Sequence, residues 1–121
     1  MTSAAGSYGG QFDLANYHEM TVLSLKWPFE GTALVYGKAL LFNGDGDWQT
    51  VSVWLTHGHP KRHVMDYAEV WAHGGWRGYV PLTGWAYNLP AGEIIELRCA
   101  TYQGNVDNTR LTAILVEDMR G

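Results

Sequence analysis

Regularly spaced turn signals are the feature that most constrains how this chain of 121 residues can fold. Clusters rich in Gly, Pro, Asn and Asp recur along most of the sequence, and their starts lie 14 to 16 residues apart. They begin at Pro28, Asn43, Gly58, Gly74, Pro90 and Gly104. The intervals leave runs of about 8–11 residues, a length that suits β-strands better than helices.

The runs between these turns alternate in polarity. Val51, Val53 and Leu55 alternate with their neighbours, and the run Ile94–Ala100 alternates in the same way. A period of two residues sends one set of side chains to each face of a sheet. Glycine is abundant, with 15 residues, which disfavours helices. The best helical candidate, Leu14–Met20, is short. We therefore predict an all-β fold, a two-sheet antiparallel β-sandwich.

The chain divides into a short N-terminal segment and one domain. Residues 1–11 carry mostly small residues, with Tyr8 as the only large aromatic group. Such a segment buries too little surface to offset its ordering entropy, so we predict a flexible arm that orders against a partner. Residues 12–121 are predicted to form a single β-sandwich domain.

Two predicted strands are apolar on both faces. The runs Thr32–Phe42 and Leu111–Val116 have large apolar side chains at odd and even positions alike. Such a strand needs cover beyond one partner sheet, and a second subunit can supply it. The predicted oligomer interface consists of Leu34, Tyr36, Leu40, Phe42, Ile114 and Val116.

Composition excludes several classes of protein. The formal net charge is −4, which argues against nucleic acid as a partner because phosphate neutralisation needs excess Lys and Arg. A single cysteine, Cys99, excludes an intramolecular disulfide and a thiolate zinc cluster. No run reaches the ~20 apolar residues of a membrane span. The first residues lack the pattern of a signal peptide, so none is expected.

Four segments together resemble the TNF-like jelly rolls of the complement globular-head type. They are GTALVYGKALLFN (31–43), VSVWL (51–55), LPAGEIIELRC (89–99) and LTAILVEDM (111–119). Related domains occur on bacterial surfaces and in bacteriophage virions. The resemblance implies a jelly roll of ten strands that assembles as a homotrimer and serves display or attachment. The segment 61–80 departs from the pattern and is interpreted as an insertion on the outer face.

A histidine-rich turn is the sharpest local signal for metal chemistry. The sequence Thr-His-Gly-His-Pro at 56–60 resembles the metal-binding turn of metallo-β-lactamase-fold hydrolases. That family places further ligands where this chain has Lys61 and Arg62, two cations that would repel a metal ion. His57, His59 and His63 remain weak candidates for one zinc or nickel ion, but our prediction is no metal and no cofactor.

Two further motifs have both a structural and a functional interpretation. Asn-Gly-Asp-Gly-Asp at 43–47 resembles the start of a calcium loop, but Trp48 and Trp54 occupy positions that an EF-hand gives to Gly and an acid, so a hairpin turn is favoured. Trp71, Trp76 and Trp85 lie among glycines and could stack on sugar rings or form a protein interface.

Catalysis finds no support in the sequence. There is no Gly-x-Ser-x-Gly motif, and Cys99 is predicted to lie on a buried strand face. We predict a protein without enzymatic activity.

These observations predict a structural or attachment protein of a bacteriophage virion. We expect a capsid decoration or minor tail protein, made in the host cytoplasm, that forms a homotrimer and contacts major capsid or tail proteins. One alternative is a carbohydrate-binding module that uses the exposed tryptophans to bind a glycan. A second, less favoured alternative is a metal-dependent hydrolase.

Overall fold

The structure, a computed structural model, describes residues 4–118. Within this range the chain forms nine β-strands and no helix. The strands are β1 (Ala4–Gly9), β2 (Phe12–Ala15), β3 (Met20–Lys26), β4 (Gly31–Asn43), β5 (Gln49–His57), β6 (His63–Ala72), β7 (Arg77–Leu89), β8 (Ile94–Ala100) and β9 (Gln103–Asp118). The described range thus holds nine strands, where the family resemblance implied ten.

The strands form two antiparallel sheets. The first sheet has the order β1-β9-β4-β7, and β2 also pairs with β9 beyond the end of β1. The second sheet has the order β3-β8-β5-β6. The prediction of an all-β, two-sheet antiparallel sandwich is confirmed.

The core lies between the two sheets and follows the alternation seen in the sequence. On β5, Val51, Val53 and Leu55 are fully buried, and on β8 Cys99 and its inward neighbours are fully buried too. Gly37 on β4 faces the same core, where a Cβ would lie 3.2 Å from a Leu97 methyl carbon. Period-two alternation therefore located the inner face correctly, because one face of each strand must be removed from water.

The N-terminal segment differs from the predicted flexible arm. Ala4–Gly9 pair antiparallel with Thr109–Ile114 of β9, and the Tyr8 ring lies 5.0 Å from the Arg110 guanidinium carbon. The pairing uses main-chain N–H and C=O groups, so small side chains do not prevent it. Part of the predicted arm is thus a sheet strand, while residues 1–3 lie outside the described residues.

Two local predictions are wrong. The helical candidate Leu14–Met20 instead contains the end of β2, a turn and the start of β3. The turn uses Asn16 and Tyr17 at positive φ, which ends the extended conformation without starting a helix. The segment at 43–47 is not a hairpin, since β4 and β5 lie in different sheets.

The segment 61–80 is an integral part of the sandwich. It contains the whole of β6, which pairs with β5, then the turn at 73–76 and the first four residues of β7, which pairs with β4. The interpretation of this segment as an insertion is therefore wrong. His63, Trp71 and His73 are exposed, where packing constrains the choice of residue little, whereas Trp76 packs against the core.

Candidate functional site

The outward side of the first sheet carries a group of aromatic and aliphatic side chains that we call the aromatic face. It brings together all of the residues predicted from sequence to form an interface, and it adds two aromatic residues of β7. Its members are Leu34, Tyr36, Leu40, Phe42, Tyr79, Trp85, Ile114 and Val116. All of them are exposed or half-buried, as expected for the side of a sheet that has no second layer over it.

Strand register explains why these side chains are neighbours. Leu34 on β4 pairs with Trp85 on β7 and with Ile114 on β9, and Leu40 pairs with Tyr79. Directly opposed residues of antiparallel strands point to the same face. The inward neighbours on β4, from Ala33 and Ala39 to Val35 and Leu41, are fully buried. The two-sided apolar character of β4 therefore reflects a packed inner face and an open outer face.

Basic side chains on the outward side of this sheet lie over aromatic rings. The Lys38 Nζ atom is 4.9 Å from the Tyr79 ring centroid, and the Arg77 guanidinium carbon is 5.2 Å from that of Phe42. Cation–π contact covers the charged groups with ring surface and leaves the long aliphatic stems along the sheet. The aromatic face is consequently less polar than its number of cations suggests.

A cavity of about 150 Å³ opens at one end of the aromatic face. Its lining residues are Gln11, Leu40, Phe42, Arg77, Asn105 and Asp107. The lining combines apolar side chains with a cation, a carboxylate and two amides. Such a mixed cavity can receive a polar side chain of a docked partner as readily as a small molecule.

The three tryptophans singled out in the sequence do not form one platform. Trp85 is 51% exposed and belongs to the aromatic face, while Trp71 is 65% exposed and lies on β6 of the other sheet. Trp76 packs against the core from the turn between β6 and β7. The shared glycine-rich context therefore did not indicate a shared location.

The histidine-rich turn does not gather its imidazoles around one point. The His57 and His63 rings stack at 5.1 Å, and His57 Nδ1 lies 3.3 Å from a Glu93 carboxylate oxygen. His59 Nδ1 lies 3.1 Å from the Arg62 guanidinium. Among the side chains described for residues 4–116, no three His, Cys, Asp or Glu form a group that could hold a metal ion.

A charged network lies on the outward side of the second sheet. Glu96, which is buried, accepts hydrogen bonds from Arg62 Nε at 2.6 Å and Thr21 Oγ1 at 2.7 Å, and Arg98 lies 3.8 Å away. Burial would raise the pKa of Glu96, but these hydrogen bonds and the two guanidinium charges outweigh it and hold that pKa below its ordinary value. Through the Arg62–Glu96 contact, the network holds the turn between β5 and β6 against β8.

Cys99 is fully buried in the core, as predicted. Burial raises the pKa of its thiol to about 12. The reactive thiolate is therefore scarce at neutral pH, and the side chain acts as a small apolar group.

Sequence reasoning missed Trp48, Tyr79 and the cations of the aromatic face. Trp48 is 52% exposed and stacks on Trp71, with ring centroids 6.1 Å apart and planes inclined by 15°. It follows a turn and precedes β5, so its contact with β6 depends on strand pairing that a single sequence does not display. Alternation along β7 could have identified Tyr79, since Tyr79 and Trp85 have the same parity as the polar residues of that strand.

No protein-family model and no curated protein matches this sequence. Similarity is found among solved structures. The Eiger TNF of S. frugiperda superimposes with a TM-score of 0.72, over 97% of this chain and 95% of that one, at 10% sequence identity. The fold is therefore a TNF-like jelly roll, as the sequence resemblance implied.

Viral capsid structures share the same architecture. Infectious bursal disease virus, Gx strain, superimposes with a TM-score of 0.60 over 93% of this chain at 12% identity. The VP2 subviral particle of that virus gives a TM-score of 0.56, also at 12% identity. This chain spans about a third of each viral chain, 32% in both cases. The jelly roll is thus shared with TNF and with viral capsid proteins.

Within residues 4–118, no helix has the length and apolar character needed to cross a membrane.

Proposed function

We propose that this chain is a non-enzymatic structural or attachment protein that assembles with copies of itself through the aromatic face. The observation that carries the proposal is this face. It combines neighbouring aromatic and aliphatic side chains on the three longest strands, with no layer of the described chain over them. Exposed apolar surface of this kind marks interaction sites in soluble proteins.

A second copy of the chain is the occupant that the residues favour. Interfaces between identical subunits are enriched in Tyr, Trp, Phe and Arg and depleted in Lys and Glu at their centre. The aromatic face has the Tyr, Trp and Phe of such interfaces, with Lys38 lying over one ring, and Arg77 at its end lies in the cavity with the carboxylate of Asp107. A rotated copy can therefore place a basic group against an acidic one while burying its rings.

Three copies are proposed because the fold is TNF-like and such folds are often trimeric. Cyclic assembly about a three-fold axis lets each subunit cover part of the face of the next. This arrangement covers the outward faces of β4 and β9, which a single chain leaves exposed.

The role in a particle is the finer part of the proposal. A bacteriophage virion, with a capsid decoration or minor tail position and capsid or tail proteins as partners, is supported by the sequence resemblance and by the jelly roll shared with viral capsids. Absence of activity is proposed because Cys99 is buried and the imidazoles of the histidine-rich turn contact other side chains.

Mass spectrometry of phage particles purified from the producing cells tests this role. We expect to find the chain among the virion proteins. Its copy number per particle, calibrated against a structural protein of known copy number, should be a multiple of three. Its absence from particles that contain the other structural proteins of the same phage would contradict the proposed location. A separate metal analysis, made on the isolated chain, should find no stoichiometric zinc, whereas two zinc ions per chain would favour the hydrolase alternative.

A further inference from the structure

A line of aromatic and polar side chains on the opposite side of the sandwich forms a second exposed feature, which we call the tryptophan strip. It lies on the outward side of β5 and β6, away from the aromatic face. Its members are Trp48, Thr50, Ser52, Trp54, Tyr67, Glu69 and Trp71. Because β6 is an edge strand of the second sheet, the strip is open along one side.

The strip consists of two aromatic pairs separated by polar groups. Trp48 and Trp71 form the first pair, and Trp54 and Tyr67 form the second at 5.2 Å between ring centroids. Trp71 and Tyr67 are four residues apart on one strand, so the pairs lie about 13 Å from each other. Glu69 lies between them on β6, opposite Ser52 on β5.

The polar groups between the pairs are held in place. Tyr67 Oη donates a hydrogen bond to Glu69 Oε2, and Ser52 Oγ lies 3.4 Å from the same phenol oxygen. The hydrogen bond to Glu69 raises the pKa of Tyr67, so the phenol stays protonated and the carboxylate keeps a second oxygen for another donor.

The first aromatic pair is fixed by the loop that precedes β5. The buried Asn43 side chain donates to the carbonyl oxygens of Ala72 and His73, both at 3.0 Å. Gly74 approaches this loop so closely that a Cβ would lie 2.6 Å from the Gly46 carbonyl oxygen. Trp48 is therefore held beside Trp71 by backbone packing.

We propose that the tryptophan strip binds a neutral oligosaccharide in an extended conformation. A pyranose ring has a face of C–H groups that stacks on an indole and a rim of hydroxyl groups that donates to carboxylates. The strip presents both kinds of contact in alternation over a length that suits several linked sugars.

Charge favours a neutral oligosaccharide over polymers that carry phosphate or sulfate groups. Glu69 at the centre of the strip repels phosphate and sulfate groups, the neighbouring Arg98 is paired with Glu19 and Glu96, and the chain as a whole has a net charge of −4. A hydroxyl-rich neutral chain instead gains a hydrogen bond from the same carboxylate. The proposal stands independently of self-association, since the aromatic face belongs to the other sheet.

Titration of the intact chain with hexasaccharides tests the proposal, with intrinsic tryptophan fluorescence and calorimetry as readouts. The probes are the neutral hexamers of cellulose, starch, xylan, chitin, mannan and β-1,3-glucan, and a heparin hexamer as the anionic comparison. We expect at least one neutral hexamer to bind, and its monosaccharide to bind at least about tenfold more weakly because it covers one pair only.

Variants identify the surface responsible. Trp71→Ala should weaken binding of that hexamer at least about tenfold, while Trp71→Phe, which keeps a ring, should stay within about threefold. Tyr102→Ala removes an exposed ring outside the strip and should leave affinity unchanged. The native mass of all three variants should equal that of the parent chain, which separates this test from that of assembly.

Three results would overturn the proposal. They are dissociation constants above about 5 mM for every neutral hexamer, tighter binding of heparin than of any neutral hexamer, and unchanged affinity in Trp71→Ala. Binding of a peptide to the β6 edge in place of sugars would be a fourth such result, and it would identify strand addition instead.

Discussion

Asn43 shows how one side chain joins parts of the fold that are distant in sequence. It is fully buried, its amide nitrogen donates to the carbonyl oxygens of Asp47, Ala72 and His73, and its side-chain oxygen accepts from the Asp45 N–H. The motif at 43–47 has the chemistry of a tight turn, and the sequence interpretation treated it as one. The amide instead connects the crossing between sheets to the β6–β7 turn, a role that needs partners 29 and 30 residues away.

Asn43→Ala should lower the free energy of unfolding by about 2–4 kcal/mol, because buried carbonyl groups lose their donor. Asn43→Asp should be more damaging, since it points a carboxylate at the same carbonyls. Urea unfolding at pH 7 measures both. Asp47→Ala, which removes an exposed side chain and keeps the carbonyl, is the control and should stay within about 0.5 kcal/mol. Equal stabilities for Asn43→Ala and this control would contradict the assigned role.

Glu96 predicts a specific dependence of stability on pH. Its pKa in the folded protein is lowered, so its contribution is present above its ordinary pKa in the unfolded chain and is lost as the pH falls through the folded value. We expect stability to decline below about pH 4.5, and Glu96→Gln to lose about 1–3 kcal/mol at pH 7 and to show a shallower decline.

Urea unfolding of the parent chain and Glu96→Gln at pH 7, 5, 4 and 3 provides the measurement. Asp47→Asn removes one exposed carboxylate and controls for the change in net charge. Parallel pH profiles for the parent chain and Glu96→Gln would show that the network with Arg62 and Arg98 does not stabilise the fold through the Glu96 charge.

At the scale of elements, alternation was sufficient to predict strands but not their neighbours. The runs at 50–55 and 94–100 became β5 and β8 with the expected inward residues. Sheet membership depends on pairing between distant segments, which explains the wrong hairpin at 43–47 and the unrecognised strands within 61–80. The aromatic face was predictable because β4 and β9 are apolar at both parities, whereas Trp48 joins its partner only through the β5–β6 pairing.

β4 supplies the test of the aromatic face at this scale. Tyr36 lies on the outward side of this central strand, is 45% exposed, and pairs with Thr83 and Thr112. Tyr36→Asp places a charge where the proposed neighbour must pack, so the oligomer should dissociate to the 13.5 kDa chain. Sedimentation velocity measures the state of assembly, and far-UV circular dichroism checks the fold. Tyr102→Asp, outside the face, should remain assembled, and an undiminished oligomer in Tyr36→Asp would exclude this surface.

At the scale of the whole molecule, the two sides of the sandwich have different chemistry. The first sheet presents apolar rings and cations that lie over them, which suits contact with identical subunits. The second presents the charged network around Glu96 and the tryptophan strip, which suits contact with solvent and a hydrophilic ligand. An assembly that buries the first side and displays the second would combine a stable particle component with an attachment surface.

The mass of the chain in solution tests the central claim most directly. Light scattering coupled to size-exclusion chromatography, over a wide range of concentrations at neutral pH, should give about 40 kDa, three times the 13.5 kDa of one chain. A mass of 13.5 kDa that persists at the highest concentration would show that one copy tolerates its aromatic face in water, and would contradict the account.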